Sequence, residues 1–255
     1  MTALTLRAVL RLALRQTEGL IGSIVRLLSP DRAIPDHSPL SRRAETLQVF
    51  PLPRSGTEPV HLLVDSTGLK LCGPGEWLVE KHGTRTRRSW RKLHIGVDAG
   101  TGHIMATELT INDVDDGSQV GPLLNQVTGP VASFTGDGAY DQDGVSRSVA
   151  ERHPDARIIV PPRSGAVPSK TAETAPTQRD RHLQLIAEKG RMGWQKASGY
   201  NRRALAEATI GRFKRVIGDG LRARTDQRQA TEINVAVAVL NRMLELGRPK
   251  SVRIT

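Results

Sequence analysis

The chain has one cysteine, Cys72, in 255 residues, which excludes an internal disulfide framework and any zinc site built on cysteine pairs. A reducing compartment, the cytoplasm, is the natural setting for such a sequence. Aromatic residues are few, with three Trp, two Tyr and three Phe, so stacking platforms of the kind that grip single-stranded nucleic acid do not dominate its surface. No apolar run reaches the roughly 18 residues that indicate a membrane span, and no membrane association is expected. The seven histidines show no i,i+4 pair or other ligand spacing and read as surface or strand residues. The Arg-bearing start, Thr2 to Arg15, has no small-residue cleavage site and reads as folded protein.

What is abundant is positive charge. Lys and Arg number 37 against 26 Asp and Glu, a net charge of +11, which favours a polyanionic partner such as nucleic acid. The charge is clustered. Lys81, Arg85, Arg87, Arg88, Arg91 and Lys92 follow one another without an intervening acid, and a second basic zone from Lys196 to Arg228 surrounds Glu207, Asp219 and Asp226.

Apolar periodicity predicts short helices over Thr2 to Arg15 and Thr17 to Leu28, with Thr17 as N-cap of the second. A third begins with Ser38 as cap and Pro39 in the first turn, and carries Arg42 and Arg43. Together residues 1–50 form a helical segment with a helix-turn-helix-like arrangement, a candidate for DNA contact. Residues 51–60 read as a linker and 249–255 as a tail. Between them, 61–248 gives a strand ending at Asp65, a basic loop or arm, two strands joined by a hairpin turn, then alternating helices and strands. That order predicts an α/β fold, a mixed sheet with flanking helices. Asp98 reads as a turn residue, Arg163 to Thr177 as a mobile loop, and Gln178 to Lys189 as a helix stopped by Gly190. A last amphipathic helix covers Glu232 to Leu246.

Three acids stand out by context. Asp65 and Asp137 each follow an apolar strand, and glycines on both sides of Asp137 leave the backbone open beside it. Glu207 lies on a helix from Gly199 to Lys214, where Tyr200, Arg203, Glu207 and Lys214 share one face and Ala206, Ile210, Phe213 and Ile217 form the apolar stripe. The Arg203 and Glu207 spacing also suits a plain surface ion pair. If the two strands are parallel neighbours, both aspartates emerge at one sheet edge. Carboxylates without His or Cys suit hard cations, Mg²⁺ or Mn²⁺. Two such ions can clamp the attacking and leaving oxygens of a phosphodiester, with basic side chains holding the nucleic-acid backbone.

The stretches HLLVDSTGLK, KHGTRTRRSWRKLHIGVDAGTGHI and TGDGAYD, together with the spacing of Tyr200, Arg203, Glu207 and Lys214, resemble the DDE transposases of bacterial insertion sequences, most closely the insertion sequence 5 family. The resemblance is clearest from His61 to Arg248 and extends weakly to the helical segment before the linker. It implies a ribonuclease-H-like core, Asp65, Asp137 and Glu207 as catalytic metal ligands for two Mg²⁺ or Mn²⁺ ions, and Tyr200, Arg203 and Lys214 on the DNA end. Arg87, Arg88, Arg91 and Lys92 fall in the family's basic arm and are further DNA-binding candidates. The implied activity is DNA transposition: hydrolysis at the element's terminal inverted repeats, then attack of the freed 3′-hydroxyl on target DNA, by a homo-oligomer assembled on double-stranded DNA in the bacterial cytoplasm. Two alternatives stay open. One is a shortened, catalytically silent relative that occupies element ends. The other is covalent recombination through Tyr140 or Tyr200.

Overall fold

The computed structural model describes residues 2–28, 33–47, 49, 58–71 and 90–247. The chain divides into two compact units, one of Arg54–Gly68 and Arg91–Gly211, the other of Met1–Pro53, Leu69–Trp90 and Arg212–Thr255. The helical segment 1–50 thus groups with the end of the chain.

The sheet contains β1 (Val60–Leu71), β2 (Trp90–Asp98), β3 (Ile104–Ile111), β4 (Val131–Thr135) and β5 (Arg157–Ile159), in the order β3-β2-β1-β4-β5. β2 and β3 form an antiparallel hairpin, whereas β4 runs parallel to both β1 and β5. Asp98 closes the hairpin turn by accepting hydrogen bonds from the Gly100 amide (3.1 Å) and the Thr101 hydroxyl (2.8 Å), as its expected turn role requires. Helices α4 (Val120–Gln126) and α5 (Asp143–Arg152) share a core with the strands, in which Leu62, Val64, Leu123, Phe134 and Val149 are almost fully buried. Each such side chain contributes about 1.5–3 kcal/mol through burial. This mixed sheet with flanking helices, in the order 3-2-1-4-5, is ribonuclease-H-like, as the motif resemblance implied.

β1 overruns its expected end. Instead of stopping at Val64 it continues through Asp65 to Leu71, because Leu69 is a core residue at 1% exposure and β6 (Gly220–Leu221) pairs with Lys70 and Leu71.

Helix α6 (Gln178–Ser198) starts at a capping box, with Thr177 and Asp180 bonded reciprocally. Asp180 also accepts from the Ser169 amide (2.7 Å) and hydroxyl (2.8 Å), and these bonds, the Ser169 amide foremost, hold its carboxyl well below the usual range. The segment Arg163 to Thr177, expected to be mobile, is therefore pinned to the helix it precedes. Gly190 breaks the helical path at φ 68° and ψ 171°, but the chain resumes helix at once, so Trp194 is a buried helical residue.

In the other unit, α1 (Thr2–Leu10), α2 (Leu14–Leu28), α3 (His37–Thr46) and α8 (Asp226–Leu246) share a core in which Leu4 packs with Val235 and Val239. The caps differ from expectation. Thr17 lies inside α2 and is fully buried, its hydroxyl bonded to the Ala13 carbonyl at 3.0 Å, while Gln16 reaches back to the Ala13 amide at 2.9 Å. Asp36, not Ser38, caps α3, accepting from the Ser38 amide at 2.7 Å. α8 starts at Asp226, a turn and a half before the expected Glu232. Arg42 and Arg43 are exposed on α3. Among the described residues no helix is long and apolar enough to cross a membrane.

Candidate active site

The parallel register of β1 and β4 pairs Leu63 with Thr135, so Asp65 and Asp137 each stand two residues past the same rung. The condition set by the sequence, parallel neighbours, is met. Past Thr135 the chain turns through a short 3-10 segment, Gly138–Tyr140, which Asp137 caps by accepting from the Ala139 amide at 2.9 Å. The flanking glycines differ in purpose. A Cβ on Gly136 would lie 2.7 Å from the Tyr140 ring, so this glycine admits a close ring approach, whereas one on Gly138 would meet nothing nearer than 3.8 Å.

The third acid arrives on a helix. Gly199 adopts the left-handed conformation (φ 79°, ψ 14°), a 3-10 turn covers Tyr200–Arg203, and α7 (Ala204–Val216) follows. α7 buries Ala206, Thr209 and Phe213, which leaves Glu207 on the open side with its side chain 59% exposed.

Arg203 joins the three acids. Its Nη2 lies 3.3 Å from Asp65 Oδ2 and 3.5 Å from Asp137 Oδ2, and its Nη1 donates to Glu207 Oε1. The pair Arg203–Glu207 is thus part of a four-member cluster and not a solvated surface pair. Asp65 is the deepest acid, and its other oxygen accepts from the Ser66 amide at 2.9 Å. Burial pushes the Asp65 carboxyl above the usual range; Arg203 and the Ser66 amide oppose that shift, and the like charges of Asp137 and Glu207 add to it. An all-oxygen set of three convergent carboxylates, already arranged around a positive charge, fits a hard divalent cation. With the guanidinium between them the three acids are not in ligand contact with one another: among the described residues the three-donor group with ligand atoms within 4.8 Å of one another is Glu18, Asp36 and His37, in which His37 Nδ1 lies 2.9 Å from each carboxylate.

Tyr200 packs at 5.2 Å between ring centroids on Trp194, whose indole N–H donates to His182 Nδ1 at 2.9 Å. His182 Nε2 meets the Ile158 carbonyl at 2.7 Å. These two bonds fix His182 as the neutral Nε2–H tautomer, and burial holds its pKa below the usual value. Neither tyrosine suits covalent recombination. Tyr140 is 2% exposed and burial, with nearby acids, pushes its phenol far up; Tyr200 is half-buried with its phenol also raised, again mainly by burial.

Lys214 lies seven residues beyond Glu207 on α7, roughly 10 Å along the axis, and its charge helps lower the Asp219 carboxyl after the larger effect of Lys70. Arg87 and Arg88 lie outside the described residues. Arg91 and Lys92 open β2, and Lys92 is engaged within the fold, donating to the Val114 carbonyl at 2.8 Å and lying 3.4 Å from Asp116.

Sequence reasoning missed the neighbour of that lysine. His94 is fully buried, bonded to Thr110 Oγ1 at 2.9 Å and 3.3 Å from Asp116. The i,i+2 spacing of Lys92 and His94 on a strand, which puts both on one face, was the available signal. Burial lowers the His94 pKa from 6.5 to about 4, outweighing the Asp116 charge. Between those values the unfolded chain binds the extra proton and the folded one does not, so stability falls as pH drops from 6.5 towards 4. The loss expected is about 3 kcal/mol. Denaturant unfolding at stepped pH measures it, and His94→Gln flattens the profile; an equally steep fall in that variant would place the titration elsewhere.

The family described as Transposase DDE domain matches residues 56–242, and a second family profile of the same description matches residues 1–74. Among solved structures, the cryo-EM structure of a piggyBac transposase synaptic complex with hairpin DNA is similar at TM-score 0.44 and 14% identity, over 72% of this chain and 47% of that one. The chain therefore spans about half the length of that relative. With its family match running through both strand-end aspartates and the glutamate helix, the chain belongs to the transposase DDE domain family.

Proposed function

We propose that this protein is a transposase that cleaves DNA at the ends of an insertion sequence and joins the freed 3′-hydroxyl to target DNA, acting as a homo-oligomer on double-stranded DNA in the bacterial cytoplasm. The observation that carries this reading is the convergence of Asp65 on β1, Asp137 just past β4 and Glu207 on α7 around the guanidinium of Arg203. Two Mg²⁺ or Mn²⁺ ions held by these acids would activate the attacking oxygen and neutralise the leaving one. The chain's own residues supply the rest. Asp65 on β1 and Asp137 just past β4 each follow the paired rung Leu63–Thr135 by two residues, which brings them out at the same place on the sheet. Glu207 approaches from α7 with open access to solvent. Tyr200 is braced by Trp194 and, with Arg203 and Lys214, positions the DNA end, Lys214 as a point charge on a phosphate. Arg91 and the neighbouring basic residues Arg87 and Arg88 add sequence-independent attraction to the backbone, whereas Lys92 is committed to Val114 and Asp116.

The test is a cleavage assay on plasmid DNA carrying the element's terminal repeats. Nicking and joining are expected with Mg²⁺ or Mn²⁺, absent with chelator, and free of any protein-DNA adduct. Cleavage that persists in chelator, or a covalent adduct lost in Tyr200→Phe, sinks the reading.

A further inference from the structure

One oxygen of each aspartate is already committed. Asp65 Oδ1 accepts from the Ser66 amide and Asp137 Oδ1 from the Ala139 amide, both at 2.9 Å. What remains to each is Oδ2, and Arg203 Nη2 lies against both, at 3.3 and 3.5 Å, while Nη1 takes Glu207 Oε1. The free oxygens of the two aspartates and one oxygen of Glu207, donors that would hold a divalent cation, are therefore engaged by one guanidinium. Its side chain is 16% exposed, close to the 13% of Asp65 and well below the 38% of Asp137 and 59% of Glu207, so it lies at the depth of the deepest acid. With one positive charge among three carboxylates, the guanidinium offsets the mutual repulsion that would otherwise oppose the folded arrangement.

We propose that Arg203 gates the metal site: in the DNA-free protein it occupies the position of the cation, and a DNA phosphate draws it out, so that DNA binding and metal loading are coupled. The inference rests on reading Asp65, Asp137 and Glu207 as the metal ligands. Arginine suits both positions. Its planar fork bridges carboxylates, and the same fork binds a phosphate through two parallel hydrogen bonds. It stands at the junction of the 3-10 turn and α7, on a long side chain that can change partner without moving the backbone. Arg203 thereby has both roles in succession, on the acids before DNA arrives and on the phosphate afterwards. Because the coupling is a free energy between two ligands, metal must tighten DNA by the factor that DNA tightens metal.

The experiment titrates the full chain with Mn²⁺, reading bound metal by electron paramagnetic resonance, with and without a short DNA duplex. In the wild type the duplex is expected to tighten Mn²⁺ by a factor in the range of roughly 5–150. Arg203→Gln is expected to bind Mn²⁺ more tightly than wild type without DNA and to lose most of the effect of the duplex. Arg203→Lys keeps the charge but spans fewer acids, and an intermediate gain is expected; it serves as the test should Arg203→Gln fail to fold. Asp137→Asn separates the two readings. If Asp137→Asn abolishes Mn²⁺ binding and the Arg203 variants leave it unchanged, the gate is wrong and the triad stands. If Asp137→Asn binds Mn²⁺ as the wild type does, the triad reading fails and the gate with it.

Discussion

Asp137→Ala is expected to lower metal-dependent DNA cleavage by more than about 100-fold, because a residue that merely supports a ligand costs 10–100-fold when removed and a ligand itself costs more. The side chain has two separable tasks. One oxygen caps the turn over Gly138–Tyr140, and the other points at Arg203. Alanine removes both, at about 1 kcal/mol for the cap. Asparagine keeps an acceptor for the Ala139 amide and removes only the charge. Cleavage should therefore collapse in both variants, while the melting temperature falls in Asp137→Ala alone. In chelator, where no divalent ion contributes, duplex affinity should hold or rise, since each variant deletes a negative charge facing a polyanion. Cleavage at the wild-type rate in Asp137→Asn would remove this residue from the chemistry.

Trp194→Ala is expected to destabilise the protein by about 3–5 kcal/mol, the usual cost of truncating a buried large aromatic. The indole is 1% exposed and packs edge-on to His182, with ring centroids 5.5 Å apart, as well as against Tyr200. Removing it also strips His182 Nδ1 of its donor. Trp194→Phe separates the contributions: most of the apolar contact survives, and the remaining loss, about 1–3 kcal/mol, reports the orphaned ring nitrogen. Denaturant midpoints measure both. Equal losses in the two variants would assign the whole effect to the hydrogen bond.

The Trp194 chain was invisible in the sequence for a physical reason. Its members, Ile158, His182, Trp194 and Tyr200, lie on a strand, on both sides of the Gly190 break and in a 3-10 turn, and no single period links them. Asp65 and Asp137 were legible because each follows a short apolar run, a local pattern, although Asp65 lies within β1 and not at its end. Their equivalence was not, since it depends on a rung between Leu63 and Thr135. The glutamate helix was found by its apolar stripe, yet the guanidinium bridge needed the sheet edge in place. Helix starts were read least well. Thr17 and Ser38 are good caps by type, but in each case a neighbour made the bond, because burial of Thr17 and the reach of Asp36 decided between near-equal local options.

The contact of Leu4 with Val235 and Val239 has a bearing on how the chain is made. Translation proceeds at about 5–20 residues per second, so α1 waits about 10–50 s after its own synthesis before its partner α8 exists. During that interval β1 to β5 and the three acids are synthesised. Until α8 is made, α1 has only its neighbours α2 and α3 to pack on, and the α8 codons decide whether the side of α1 that bears Leu4 becomes core or a handle for chaperones and proteases.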